Sequence, residues 1–354
     1  MGLAADFSLT LPAGVRMGCA EVPGGLSGTS VLLLPPGSTV GVDSRGGGPA
    51  THETNILAPG TLGYGADAVV LTGGSALGLS AARGVQDTLA TSSIGCEPLP
   101  GIRVPIVPAA AVFDLGRGAS QAPDADTGAA ATQAAHGSDG ACRGSVGAGV
   151  GAWTGRGFAR GGTGVASVST SEGWRVTAVV TANPMGSIFD SRGQLYVAGV
   201  LAGYGIEVPP VPAEALGEQI ERAQALNVSD TNTTIACLVT DAPLTDAQVT
   251  RVAASAHAGL SRAIYPSHTL FDGDTIFAAS VPAANADASA LNDYTSPALT
   301  WLGAAAADAM ALACIDAVLS ADAQEEWGPM AIPAVRQFAP DTVSAWESAR
   351  LAFA

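Results

Sequence analysis

Glycine and proline punctuate this chain from end to end, 45 and 22 of them in 354 residues, and no stretch gathers them into a linker. Glycine frees the backbone and proline restricts it, so the pattern favours a single compact, turn-rich domain over residues 1–354. Alanine and glycine also fill the predicted helices, which lets backbones approach closely. With 47% hydrophobic and only 13% charged residues, material for a sizeable core is available.

The formal charge of −16 argues against nucleic acid, which needs a basic footprint, and equally against an anionic membrane surface. An acidic field weakly favours amine-bearing small molecules, unless it is simply solubility charge. All 15 basic residues are arginine. A P-loop of the GK[ST] type and any lysine Schiff base are therefore excluded. Cys19, Cys96, Cys142, Cys237 and Cys314 are isolated and odd in number, which reads as reduced thiols in a cytoplasmic protein. His52, His136, His257 and His268 show no chelating spacing and read as structural, so no metal is expected.

Residues 1–25 contain Asp6, Arg16 and Glu21 and no apolar h-region, so no secretory signal is read. Asn227-Val228-Ser229 and Asn232-Thr233-Thr234 match the glycosylation acceptor pattern, with no secretory route to use it. The apolar stretch 302–321 carries Asp308 and Asp316 and is expected to be a buried helix rather than a membrane span.

Strands are predicted at 30–34, 67–72, 174–181, 233–240 and 274–280. An extended segment at 104–112 is placed at a sheet edge by its prolines. Helices are predicted at 76–90, 125–136, 212–226, from Thr245 onward, at 297–320 and at 341–353. Val42 to Pro49 reads as a Gly-rich loop. Gly73-Gly74-Ser75 is a strand–Gly–helix turn that either cradles an anion or serves close packing. Together these pieces fit an α/β or α+β layered sandwich. No GxGxxG supports a Rossmann fold.

Two constellations carry chemistry. In Asp230-Thr231-Asn232-Thr233-Thr234-Ile235 a polar loop ends in a hydroxyl at the first position of a strand. A threonine hydroxyl needs an adjacent base, and cleavage of the preceding bond frees its own α-amine, of pKa about 7.7–8.0. Taken alone, Thr-Thr at a strand start also satisfies plain β-propensity. In Phe271-Asp272-Gly273-Asp274-Thr275, residues two apart on a strand share a face, so both carboxylates can face one site. A simple turn remains the alternative; a calcium loop lacks its further oxygen ligands.

The chain resembles the family of L-aminopeptidase/D-esterases, β-peptidyl aminopeptidases and 6-aminohexanoate-oligomer (nylon oligomer) hydrolases. The resemblance runs in order through Val42–Pro49 with Glu53-Thr54, Leu71–Leu79, Gly144–Gly149, Asn232–Ile235 and Asp272–Thr275. It implies an αββα-type, N-terminal-nucleophile-like sandwich. It also implies autocleavage between Asn232 and Thr233 into an α chain 1–232 and a β chain 233–354. Thr233 is then the nucleophile, with Thr234 its rival, Asp272 and Asp274 orient it, and Asn183 in Ala182-Asn183-Pro184 serves the oxyanion. The family's lysine aligns with Arg156, which supplies charge but no proton shuttle. A tyrosine of some members aligns with Phe113, a lost hydroxyl.

The expected activity is hydrolysis of amides in short amine-bearing peptides, β-peptides or ω-amino-acid oligomers through a threonyl ester, with no metal or organic cofactor, in a homotetramer. Two alternatives stand beside it: an acyltransferase similar to the ornithine acetyltransferases, and an uncleaved, non-catalytic oligomeric binding protein.

Overall fold

The computed structural model of the chain describes every residue except 1, 25, 118–120, 139, 227–230, 294–295 and 324–330. The triplet Asn227-Val228-Ser229 and Asp230 of the polar loop thus lie outside the described residues.

Two sheets stack face to face with helices on both outer sides, the αββα layering expected from the resemblance. The first sheet orders its strands Ala4–Asp6, Gly162–Ser169, Arg175–Asn183, Thr233–Thr240, Thr275–Ser280 and Thr39–Ser44. All its neighbours are antiparallel except Thr233–Thr240 with Thr275–Ser280. The second orders Arg16–Glu21, Gly28–Leu33, Ala68–Thr72, Ala109–Ala111 and Ala50–His52. Side-chain alternation sorts each strand between two cores. Ile235, Cys237 and Val239 meet Val69, Leu71 and Ala110 between the sheets. Ala236 and Leu238 face the helices Asp246–Ala263 and Ala298–Leu319. Helices Ala81–Thr91 and Ala125–His136 cover the other outer face.

Small residues set the layer spacing. A Cβ on Gly164 would lie 2.1 Å from the Ala313 carbonyl oxygen, and one on Gly259 1.8 Å from that of Ala307. The helix Ala298–Leu319 therefore rests directly on both a strand and the neighbouring helix. It is long and apolar enough to cross a membrane, yet 83% of its most apolar window is buried in the fold. Its Asp316, fully buried, accepts from Arg143, Trp346 Nε1 and Val165 N and pairs with Arg350. That network ties the last helix, Pro340–Ala352, to the core.

Several expectations need correction. The extended segment 104–112 is not an edge strand: Ala109–Ala111 lies between Ala68–Thr72 and Ala50–His52. Pro105 and Pro108 fall just outside the three paired residues, so neither removes a ladder donor. The helix expected at 76–90 is two pieces, Ser75–Gly78 and Ala81–Thr91. The supposed loop from Val42 begins inside the strand Thr39–Ser44. Strand Gly162–Ser169 gave no signal because its residues are small, as the overlying helix requires.

Candidate active site

Three strand ends of the first sheet converge: the exit of Arg175–Asn183 and the entries of Thr233–Thr240 and Thr275–Ser280. Asn183 pairs directly with Thr233. Upstream of Thr233, Asn232 continues the strand by bridging to Asp272, with its N–H donating to Phe271 O at 3.2 Å. The chain is thus pinned on both sides of the Asn232–Thr233 bond. The Thr233 hydroxyl donates to the Asn232 carbonyl, the bond it would have to attack. The Gly273 N–H lies 3.1 Å from Thr233 Oγ1 and 3.3 Å from Asn232 O. One backbone donor therefore serves both the Thr233 hydroxyl and the Asn232 carbonyl. Thr234 points the other way: it shares the helix-side face with Ala236, and among the described residues its hydroxyl finds no partner.

Asn183 is completely buried, and its amide orientation is set by donors. Its Oδ1 accepts from Arg117 Nη1 and, at 3.2 Å, from the Trp153 N–H, leaving Nδ2 as the donating end, bonded to Phe113 O at 3.1 Å. Arg117 stacks on the Trp153 ring, 3.5 Å from its centroid, and donates to Gly151 O at 3.0 Å. Its guanidinium also reaches Asn232 Oδ1 at 3.4 Å, beside Trp153 Nε1 at 3.3 Å. Burial depresses the Arg117 pKa strongly, against the opposing pull of Asp114. Asp114 is buried too, which raises its pKa; its Oδ1 accepts from Gly74 N at 2.7 Å. The glycine turn at 73–75 therefore packs closely against a carboxyl group of the chain itself.

The two aspartates brace the loops around Thr233. Asp272 accepts from Met185 N (3.3 Å) and from Thr269 N and Oγ1 (3.0 and 2.6 Å). Burial, and then the Asp274 charge, push its carboxyl up. Asp274 accepts from Thr234 N at 2.8 Å, and from His268 N and Nδ1 at 2.9 and 2.8 Å. His268 meets His257 edge-on, ring centroids 4.8 Å apart.

The structure thus brings together Thr233, Asn183, Asn232, Asp272 and Asp274. Arg156 stands on the turn between strands Trp153–Thr154 and Ala159–Arg160 and lines a cavity of about 410 Å³ with Phe158, Phe189 and Leu216. Phe113 contributes its carbonyl rather than its ring. Arg117, Trp153, Gly273 and His268 were missed. Arg117 and Trp153 stand 66 and 30 residues before Asn183, so no local spacing links them. His268 stands only 6 residues before Asp274, and an Asp–His pairing across that loop was the one available signal. Among the described residues no group of three or more His, Cys, Asp or Glu gathers as a metal site.

Residues 8–327 match the family model described as peptidase family S58. The chain belongs to peptidase family S58. Within this family it is 41% identical over 307 residues to an uncharacterized aminopeptidase of Mycobacterium leprae (strain TN), covering 83% of each chain. It is 32% identical over 281 residues to the 6-aminohexanoate-oligomer endohydrolase of Paenarthrobacter ureafaciens, covering 75% of this chain and 72% of that one. Its fold matches a beta-aminopeptidase of Burkholderia sp. with TM-score 0.64 at 22% identity, over 96% of this chain and 92% of that one. The L-aminopeptidase D-Ala-esterase/amidase of Ochrobactrum anthropi, a variant of the Ntn hydrolase fold, matches with TM-score 0.63 at 20% identity over 97% of both. The S58 chain is accordingly a peptidase/amidase on an Ntn-hydrolase-type sandwich.

Proposed function

We propose that this S58 enzyme matures by cutting its own Asn232–Thr233 bond and then hydrolyses amides with Thr233 as an amino-terminal nucleophile. The observation that carries the reading is the contact of the Thr233 hydroxyl with the Asn232 carbonyl, shared with the Gly273 N–H. In maturation the Thr233 Oγ–C bond forms and the Asn232 C–N bond breaks. The hydroxyl proton passes to the nitrogen, which becomes the α-amine. Water then hydrolyses the ester, leaving a carboxylate on Asn232 and restoring the hydroxyl. In turnover the amine takes the Oγ proton and returns it to the leaving nitrogen, giving an acyl ester that water resolves. Gly273 N–H and Asn183 Nδ2 are the donors for the tetrahedral oxyanions. Asp274, bonded to Thr234 N, and Asp272 hold the strand entry.

The substrates are short amine-bearing amides, whether α-peptides, β-peptides or ω-amino-acid oligomers; the net charge of −16 supports attraction of the amine. The αβ units assemble as a homotetramer, and the five free thiols support a cytoplasmic setting. Intact mass and amino-terminal sequencing test the core of this reading. The purified protein should be two fragments with Thr233 at the new terminus, and Thr233→Ala should remain one inactive chain. A fully active single chain, or continued cleavage at 232 in the variant, overturns it.

A further inference from the structure

We infer that Arg117 and Trp153 form an acyl-side subsite for residues whose side chain ends in an amide or carboxylate oxygen, with the Asn232 side chain as its first occupant. The inference rests on the self-cleavage reading and deepens it. After the N→O shift the maturing chain is an ester of the Asn232 acyl group on Thr233 Oγ. During turnover the acyl-enzyme is an ester of the substrate's acyl group on the same oxygen. The two intermediates differ only in the group attached to the carbonyl carbon, so the place of the Asn232 side chain marks where a substrate's acyl side chain goes.

That place is built for an acceptor. Trp153 Nε1 and Arg117 Nη2 converge on Asn232 Oδ1 at 3.3 and 3.4 Å, and both groups only donate. Neither donor is loosely held. Arg117, Trp153 and Asn232 are each 2% exposed or less. The guanidinium is fixed by the Trp153 ring beneath it and by Gly151 O and Asn183 Oδ1 at its edge. When the cut frees the Asn232 end, these two buried donors lose that acceptor. An aspartyl or asparaginyl acyl residue restores both hydrogen bonds, and a carboxylate also places a countercharge on the buried cation. A leucyl or alanyl residue leaves them unmet. Sites that hydrogen-bond a substrate group discriminate strongly against analogues lacking it.

The test compares kcat/KM of the mature enzyme on asparaginyl, aspartyl, alanyl and leucyl p-nitroanilides. The asparaginyl and aspartyl substrates are expected to lead the leucyl one by at least about tenfold. Trp153→Phe keeps a ring under Arg117 and removes the N–H, so the asparaginyl-to-leucyl ratio should fall about fivefold or more; a ratio cancels any general loss of activity. The self-cleavage rate gives an independent reading: Asn232→Asp should process at a rate close to wild type and Asn232→Leu at least about tenfold more slowly. Hydrolysis and processing without these preferences overturn the subsite and leave the proposed function standing. A wild-type chain that neither splits nor hydrolyses amides overturns both.

Discussion

Gly273 offers the sharpest probe of the self-cleaving geometry. A Cβ at this position would stand 2.9 Å from both Thr233 Oγ1 and the Gly48 carbonyl oxygen, and 3.2 Å from Pro49 Cα. The Gly48 side cannot yield freely, because its N–H is bonded to Asp272 O at 2.9 Å. In Gly273→Ala the displacement therefore falls on the Thr233 hydroxyl and on the Gly273 N–H that touches it. Misaligning one oxyanion-type donor costs roughly 100- to 1,000-fold in rate, or about 3–4 kcal/mol of barrier. Self-cleavage of Gly273→Ala should slow by about that factor, so that freshly purified protein is mostly one chain and converts over a measurable time course by intact mass. Gly48→Ala is the control. Its Cβ would meet nothing closer than Leu270 O at 3.7 Å, so it should arrive as fully cut as wild type. Wild-type processing of Gly273→Ala would refute the role given to that amide; equal slowing of both variants would point to a general disturbance of the loop.

Two further predictions concern stability. Asp316→Ala leaves Arg143 and Arg350 facing a buried void beside Trp346 Nε1, and should cost about 3–5 kcal/mol in urea unfolding; a loss below about 1 kcal/mol would show that the network is dispensable. His257, whose Nε2–H donates to Asp43 O at 3.0 Å, has its pKa lowered to about 4 by burial, with Asp43, Arg45 and His268 facing it. Because the folded value lies below the unfolded 6.5, the stability is complete above pH 6.5 and is lost as pH falls toward 4. Between pH 7 and pH 5 the loss should be on the order of 2 kcal/mol. It should be absent from His257→Gln, and an identical pH dependence in the variant would contradict it.

What could be read from the sequence is what local pattern controls. The helix from Thr245 was legible from the cap at Thr245 and the helical spacing of Val249, Val252, Ala256 and Leu260; in the structure Thr245 and Gln248 form a reciprocal cap, as Asp124 and Thr127 do at the start of Ala125–His136. Strand Thr233–Thr240 was legible from its apolar run between a polar loop and Asp241-Ala242-Pro243. The resemblance then placed Thr233, Asn183, Asp272 and Asp274 in one site, and their strand ends do converge. Arg117 stayed hidden because a lone arginine in Asp114-Leu115-Gly116-Arg117 looks solvated; only the stacking of two sheets buries it. Arg156 drew attention as the aligned cation; it stands on a turn at φ 55° and lines the cavity beside Phe158 and Phe189. Gly273 could not be singled out for its amide, since backbone donors carry no sequence signature.

Strand Thr233–Thr240 is an inner member of its sheet, flanked by Arg175–Asn183 from one side of the cut and Thr275–Ser280 from the other. The proposed cut at 232 leaves the pairing of Thr233–Thr240 with both neighbours in place, so the two pieces stay interwoven. The history becomes visible only on denaturation. The precursor refolds as one molecule, whereas the processed protein must first reunite two, and its recovery should depend on concentration. Maturation by the proposed cut would thus work as a ratchet, a fold reached once by a continuous chain and then deprived of its easy way back.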